Sequence, residues 1–356
     1  MRKILFNMVA LFVMVNIISG CGMGGAQPAD TKSISSSTEQ VAGDPAEKST
    51  VSYPITIEHA FGQSVIEKEP ERVVAIAQGN GDVSLALGVV PVGISRANYG
   101  NFVVSDTGLF PWTETAYQQL GDENPNVFDD TDGLNFEAIN NAKPDVILAA
   151  FSGITQEDYN LLTQIAPVVA YPELAWGANW KDQIVLNAKG LGKEAEGKEL
   201  LSRTEELIHK KMTEYPALQD KKTAFIFISP KDLGKLYVYL PTNPRYDYLI
   251  DIGLSVPEGI QQLAKETQGF TATVSAENVD LLKDAELIVT YGDPAFLEVL
   301  QADSLIGQIP AISNGAVALL DDSTALAASA QPSVLSIPAH IDEYLGLLSK
   351  AAEKAQ

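Results

Sequence analysis

Short, continuously apolar runs followed by helical patterns constrain the fold of this chain more than any other sequence feature. Residues 72–77 form one such run, and a helical pattern after it ends at Gly88, just before an apolar segment at 89–93. Residues 223–229 begin the same order again, with a helix predicted at 246–252. Strands that are apolar throughout are typical of parallel sheets covered on both faces. The pattern therefore predicts an α/β protein with two Rossmann-like lobes and a cleft between them.

A second pair of segments strengthens this interpretation. Residues 135–148 and 275–289 each place a short helical pattern before a buried strand. Glu137 and Glu277 occupy matching places near the starts of these two helical patterns. The repetition indicates two halves of similar construction.

The segment that joins the halves is predicted to be helical. Good helix formers continue from 179 to 216, with a break at Gly190-Leu-Gly192. The part from 193 to 214 would be one rigid helix about 33 Å long. We therefore divide the folded chain into a first lobe at 53–178, a helical connector at 179–216 and a second lobe at 217–356. A single helical connector predicts small opening angles between the lobes.

The composition excludes several functions. There are 46 acidic and 24 basic residues, and a net charge of -22 disfavours binding to nucleic acids. One cysteine and three scattered histidines do not form a spaced ligand set, so we expect no metal bound directly by the protein. Neither a Gly-x-Ser-x-Gly nucleophile motif nor a phosphate-binding loop is present, and we expect no catalytic residues. The chain is predicted not to be an enzyme.

The amino-terminal segment is typical of an exported protein. Arg2 and Lys3 precede an apolar stretch, which indicates a signal peptide at 1–20. The sequence Ile-Ser-Gly-Cys at 18–21 resembles the lipobox of bacterial lipoproteins. This resemblance implies diacylglycerol on Cys21, with a possible N-acyl chain, and an anchor on the outer side of the cell membrane. Residues 21–52 are small and polar, as in a flexible tether of about 30 Å.

Several short motifs, in a fixed order, resemble one family over residues 54–350. They are PERVV at 70–74, LGVVPVG at 87–93, KPDVI at 143–147, LG at 191–192 and SNGAVA at 313–318. The chain is similar to the substrate-binding proteins of ABC importers for ferric siderophores and cobalamin. GLFPW at 108–112 and NPRY at 243–246 look more like the iron-siderophore branch.

That resemblance implies a lipid-anchored, monomeric protein that delivers a ferric siderophore to a permease dimer with its ATPase. No covalently bound cofactor is implied, because the chelator itself holds the Fe³⁺. Binding of haem or cobalamin by the same class of importer is the alternative. The chelator, whether catecholate, hydroxamate or mixed, stays open at this stage.

Charge and aromatic content indicate which residues line the cleft. In open α/β sheets ligands bind beyond the carboxyl ends of the strands. Four arginines follow Cys21, and those expected in cleft loops are Arg96 and Arg245, whereas Arg72 and Arg203 are expected to be structural or solvated. Arginine can pair with an anionic chelate and stack on its rings. The predicted ligand-binding residues are Arg96, Tyr99, Trp112, Lys231, Lys235, Arg245, Tyr246 and Tyr291.

Glu137 and Glu277 have a separate predicted role. In the family that the chain resembles, such glutamates meet arginine pockets on the two permease subunits. The simpler interpretation is a solvated glutamate in the first turn of a helix, where the helix dipole favours it. The matching positions in two halves favour docking at a dimeric permease.

Overall fold

Two five-stranded sheets organise the part of the chain that the computed structural model describes, residues 51–97 and 104–355. These residues belong to one compact unit. The predicted signal peptide, Cys21 and the tether up to residue 50 lie outside the described residues. Within the described residues, no helix is both long enough and apolar enough to cross a membrane.

The first sheet is parallel throughout and has the strand order β5-β4-β3-β6-β7. Val73 and Ala75 pack into one apolar cluster, whereas Val74 and Ile76 pack into the cluster on the opposite face. Successive side chains of a strand point to opposite faces, so this continuous apolar run buries both faces of the sheet. The strands are β3 (Val73–Ala75), β4 (Gly93–Ser95), β5 (Val127–Phe128), β6 (Val146–Ala149) and β7 (Val168–Ala170), preceded by the antiparallel hairpin β1 (Ile55–His59) and β2 (Gly62–Ile66).

Four short helices cover the first sheet and alternate with its strands. They are α1 (Asn80–Ala86), α2 (Pro111–Gln119), α3 (Phe136–Asn141) and α4 (Gln156–Leu162). The strand predicted at 89–93 is displaced, because β4 begins only at Gly93. The helical pattern predicted after residue 135 is α3.

The second sheet is mixed, with the order β10-β9-β8-β11-β12. The predicted repeat of strand, loop and helix is wrong here, because β8 turns directly into the antiparallel β9. Residues 254–257, which follow the predicted helix at 246–252, contribute an isolated bridge from Ser255 to Lys222. The strands are β8 (Thr223–Ser229), β9 (Asp232–Tyr239), β10 (Thr271–Ser275), β11 (Leu287–Tyr291) and β12 (Val317–Leu320).

The helices of the second lobe surround this sheet. They are α7 (Pro244–Asp251), α8 (Glu258–Glu266), α9 (Pro294–Ala302), α10 (Pro310–Asn314), α11 (Ala325–Ser329) and α12 (Ser336–Ala352). The helix predicted at the start of 275–289 is a 3₁₀ segment, Ala276–Leu282, in which Asn278 leaves helical geometry.

In the sequence, two helices that pack against each other connect the strands of the first sheet to those of the second. They are α5 (Trp180–Gly190) and α6 (Glu194–Met212), and the break predicted at residues 190–192 separates them. The long helix therefore has 19 residues. Gly197 of α6 lies against Ala188 of α5, where a glycine is required by the close approach: a Cβ at position 197 would be 2.3 Å from the Ala188 Cβ.

We expect Gly197→Ala to destabilise the protein. Alanine would gain about 1 kcal/mol of helix propensity, but overpacking a rigid contact typically costs about 1–3 kcal/mol. The free energy of unfolding, measured by chemical denaturation, should fall. Gly346→Ala in α12 is the matched control, because its nearest non-local atom, the Tyr215 Oη, would be 3.9 Å away. That variant should gain stability, and equal effects at both positions would contradict the packing argument.

Candidate functional site

The carboxyl ends of the parallel strands place the loops of the first lobe side by side. The backbone N–H of Ala77, just after β3, donates to the Ser95 Oγ at the end of β4, at 2.8 Å. Ser95 in turn donates to the Asp130 carboxylate, which follows β5. Burial raises the pKa of Asp130. These two hydrogen bonds connect the segments at the carboxyl ends of β3, β4 and β5, which together form a polar edge of the sheet.

Arg96 belongs to this edge, as predicted from its place after β4. Its backbone N–H donates to the Phe128 carbonyl at 2.8 Å, and its side chain is half-buried. The guanidinium lies against Gly108, where a Cβ would be 3.0 Å from both the Cγ and the Nη1 of Arg96. Gly108 also has a left-handed φ of 83°, so a side chain there would be both strained and crowded. Tyr99, which we predicted beside Arg96, lies outside the described residues.

Arg245 is the arginine of the second lobe that corresponds to Arg96 in the first. Its Nε donates to the Tyr291 Oη at 3.2 Å, and its guanidinium carbon lies 5.7 Å from the centre of the Tyr239 ring. Tyr291 is the last residue of β11, so this contact brings the arginine to the carboxyl end of that strand. Burial, followed by the nearby Tyr291, raises the pKa of Tyr239 to about 12. The Tyr239 phenol is therefore a neutral hydrogen-bonding group at physiological pH.

Three predicted ligand contacts are buried instead: Tyr291, which accepts from Arg245, is 5% exposed, and the predictions for Trp112 and Tyr246 are corrected by the partners of their polar atoms. Trp112 is 7% exposed, and its Nε1 donates to the Asp82 carboxylate at 3.0 Å. Tyr246 is 1% exposed, and its Oη donates to the Thr223 carbonyl at the amino end of β8. Both aromatic rings are core residues because their polar atoms bond inside the protein.

Lys231 and Lys235 lie in the β8–β9 hairpin. Both are exposed, and Lys231 follows the carboxyl end of β8. Lys235 pairs with Asp232 at 3.1 Å, a solvent-exposed ion pair of small energetic value. Their contact with a ligand stays a prediction.

An exposed tryptophan that the sequence analysis did not select lies at the edge of the first lobe. Trp176 follows β7, is 38% exposed and has a left-handed φ of 61°. Its ring meets Phe151 edge-on at 5.2 Å and covers Gly153, where a Cβ would be 2.2 Å from the Trp176 Nε1. The sequence signal that could have identified Trp176 is a Trp-Gly pair in the loop that follows a buried strand.

An acidic hollow of about 500 Å³ lies beside this tryptophan, between the loop after β7 and the segment that begins α7. Glu173, Asp182 and Asp247 contribute carboxylates to its lining. Burial, together with the charge of Asp251, raises the pKa of Asp247 to about 6. Burial also raises the pKa of Asp182. The hollow is therefore lined by three carboxyl groups, two of which burial makes harder to ionise.

Glu137 and Glu277 are both exposed, and each is the second residue of a short helical segment. The side chain of Asn135 caps the first segment, and the side chain of Ser275 caps the second. The two glutamates therefore have the same local setting in the two lobes. Within the described residues, His, Cys, Asp and Glu form no cluster of three that could hold a metal ion.

Comparison with solved structures identifies proteins with the same fold. The crystal structure of Streptococcus pneumoniae TIGR4 PiaA in complex with ferrichrome is 49% identical, with a TM-score of 0.81, over 85% of this chain and 100% of that chain. Staphylococcus aureus SirA complexed with staphyloferrin B is 22% identical with a TM-score of 0.63, over 84% of this chain and 97% of that chain, and shows the shared fold.

Sequence comparison agrees with this result. The probable siderophore-binding lipoprotein YfiY of Bacillus subtilis (strain 168) is 27% identical over 300 residues, which are 82% of this chain and 80% of that protein. The family described as periplasmic binding protein matches residues 73–324, which include strands and helices of both sheets. A match over more than half of the chain, together with the two lobes seen in the structure, shows that this protein belongs to the periplasmic binding protein family.

Proposed function

We propose that this chain is the substrate-binding component of an ABC importer and that it captures a ferric siderophore for iron uptake. The observation that carries the proposal is the 49% identity to a protein whose crystal structure contains ferrichrome, over the whole length of that chain. Arg245 with its two tyrosines, Arg96 and Trp176 supply donors and an aromatic surface suited to a chelate. The same identity favours a siderophore over haem or cobalamin.

Within this class we propose a ferric hydroxamate of the ferrichrome type. Ferrichrome is uncharged, whereas a ferric catecholate carries a net negative charge. The hollow lined by Glu173, Asp182 and Asp247 would repel an anion, and the chain has a net charge of -22. An uncharged chelate does not meet this repulsion, and it can still accept hydrogen bonds from arginine through its hydroxamate oxygens.

We further propose that Cys21 carries the lipid anchor and that residues 21–52 hold the folded part away from the membrane. The lipobox at 18–21 supports this proposal, and the Bacillus subtilis relative is itself named a lipoprotein. Delivery would then take place at a permease dimer with its ATPase in the same membrane, with the binding protein acting as a monomer.

Quenching of tryptophan fluorescence should rank the ligands directly. We expect ferrichrome to bind more tightly than a ferric catecholate, haem or cobalamin, because the first ligand is uncharged and presents hydroxamate oxygens. Trp176→Phe should reduce the quenching amplitude, since this exposed ring lies at the edge of the cleft. Binding of haem or cobalamin alone would refute the siderophore proposal, and a preference for the catecholate would refute the hydroxamate assignment.

Arg245→Ala and Arg96→Ala should each weaken ferrichrome binding. Loss of a charge-assisted hydrogen bond corresponds to about tenfold or more in Kd. Lysine at either position should recover part of the loss, because it keeps the charge without the planar fork. Arg203→Ala removes the same charge from an exposed position on α6 and serves as the control for Kd measured by titration. If the cleft variants matched this control, the arginines would not contact the ligand.

Glu137→Ala and Glu277→Ala should separate binding from transport. We expect Kd to stay within about twofold, while uptake of ⁵⁵Fe-ferrichrome by cells falls about tenfold in the double variant because two docking contacts are lost. Glu157→Ala is a matched control, since Glu157 is also exposed and is the second residue of the capped helix α4. A loss of ligand affinity in either single variant would place that glutamate in the cleft and contradict the docking proposal.

A further inference from the structure

Asp82 is a buried carboxylate that receives hydrogen bonds from both lobes. Thr113 Oγ1 donates to its Oδ1 at 2.7 Å, and Trp112 Nε1 donates to its Oδ2 at 3.0 Å. A third donor, the Ser333 hydroxyl, comes from the second lobe and is 251 residues away in the sequence. Asp82 is 4% exposed, so this carboxylate has exchanged water for three protein donors.

Ser333 is also tied to the longest helix of the second lobe at its beginning. The Ser333 Oγ accepts the backbone N–H of Ser336 at 3.0 Å, and the Ser336 Oγ accepts the backbone N–H of Ser333 at 2.8 Å. These reciprocal bonds fix the first turn of α12 and leave the Ser333 hydroxyl proton directed at Asp82. Through one serine, the carboxylate in α1 therefore holds the start of α12.

The hydrogen-bonded group of Asp82, Trp112, Thr113 and Ser333 forms a junction between the lobes. Apolar contacts exclude water around this junction. Phe110 and Trp112 stack at 4.7 Å and pack against Ala328 of α11 in one buried cluster. The His340 ring of α12 meets the Trp112 ring edge-on at 5.6 Å. Hydrogen bonds to a carboxylate are stronger in such a low-dielectric setting than in water. The junction is thus built from both lobes and has at its centre a carboxyl group whose pKa burial raises against the three hydrogen bonds that lower it.

The junction lies directly behind the candidate cleft. α1 begins after the loop that leaves the carboxyl end of β3, and Asp82 lines the same small hollow as Gln78 and Arg96. On the other side, α11 follows the loop at the carboxyl end of β12. A shift of α1 relative to α11 and α12 would therefore change the spacing between the ligand-facing loops of the two lobes.

We propose that Asp82 is a positioning residue: through Ser333 it fixes the relative orientation of the two lobes and so presets the cleft for its ligand. This proposal rests on the proposed function for its effect on affinity. The orientation of the lobes in the ligand-free protein can be measured separately. A preset cleft binds more tightly because less ordering is required when the ligand arrives.

Ser333→Ala is the main test, because it removes the bond between the lobes and leaves the buried carboxylate with its other two donors. We expect Kd for ferrichrome to rise about five- to tenfold, less than the tenfold or more for a lost charge-assisted contact with the ligand itself, because this bond acts on the ligand only through the orientation of the lobes. Ser333→Thr keeps a hydroxyl and should restore most of the affinity. In a double-mutant cycle, adding Ser333→Ala to Asp82→Ala, which removes the acceptor, should have little further effect on Kd.

Ser329→Ala is the matched control. Ser329 is a similarly buried serine of the same lobe, but its hydroxyl bonds to the Leu326 carbonyl within α11. Ser329→Ala removes the same hydroxyl oxygen but no hydrogen bond to the first lobe, so Kd should stay within about twofold of the unmodified protein. Equal Kd values for Ser333→Ala and Ser329→Ala would overturn the proposal.

Electron–electron distance measurements provide a second readout that requires no ligand. Spin labels at Glu157→Cys in α4 and Lys265→Cys in α8, both exposed positions, report the separation of the lobes in the full chain with Cys21 replaced by serine. Ser333→Ala should broaden or shift the distance distribution, whereas Ser329→Ala should not. An unchanged distribution in Ser333→Ala would overturn the positioning role even if ferrichrome binds. If the unmodified protein bound no ferric siderophore, the proposed function would fail while the distance measurement still decided this inference.

Discussion

The burial of the first sheet on both faces determines where a ligand can approach this lobe. Strands such as β3 and β6 place successive apolar side chains into two different clusters, so neither face of the sheet is available to solvent. Polar groups can then collect only where strands end, because an unpaired polar atom inside either cluster would cost several kcal/mol. The bonds from Ala77 to Ser95 and from Ser95 to Asp130 show this collection at the carboxyl edge. The position of Arg96 follows from the same constraint.

Noncovalent contacts supplement the single helical passage between the lobes. Trp180 and Lys181 of α5 bond to Asp251 of α7 at 2.8 and 2.6 Å, at one side of the junction. Asp82 and Ser333 join the lobes at another place. Two separated points of contact resist rotation about the connector better than a helix alone, since a hinge motion would have to break at least one of these hydrogen bonds. Small opening angles between the lobes stay a prediction.

Much of the fold was predictable, because it depends on local patterns. The apolar runs identified β3, β6 and β8, and the glycines at 190 and 192 identified the break between α5 and α6. The antiparallel strand β9 was missed. Its buried residues Leu236 and Val238 alternate with the half-buried Tyr237 and Tyr239, a pattern that indicates a strand but gives no partner or direction. Strand pairing is set by the whole sheet, which a local pattern does not contain.

The candidate site was less predictable for a related reason. Sequence position correctly placed Arg96 after a strand, but Arg245, which was expected in a loop, is the second residue of α7 and meets the end of β11 through Tyr291. Sequence position also did not separate buried aromatic residues from exposed ones. Trp112 was selected and is buried, because its indole N–H finds Asp82 in the fold. Trp176 was passed over and is exposed, because its left-handed backbone turns the loop back over Gly153. Both outcomes depend on contacts between segments that are far apart in the sequence.

The electrostatics of the cleft explain why net charge alone is a weak guide to the ligand. A charge of -22 is compatible with an anionic ligand if arginines form a local positive surface, and this was the basis for selecting Arg96 and Arg245. The structure sets Arg245 against two tyrosines and places three carboxylates around the neighbouring hollow. In these surroundings Arg245 offers hydrogen-bond donors with a fixed direction and a flat surface for stacking. The carboxylates would oppose a ligand with a net negative charge. Under the proposed function, this combination favours a chelate that presents suitably placed acceptor oxygens and carries no net negative charge.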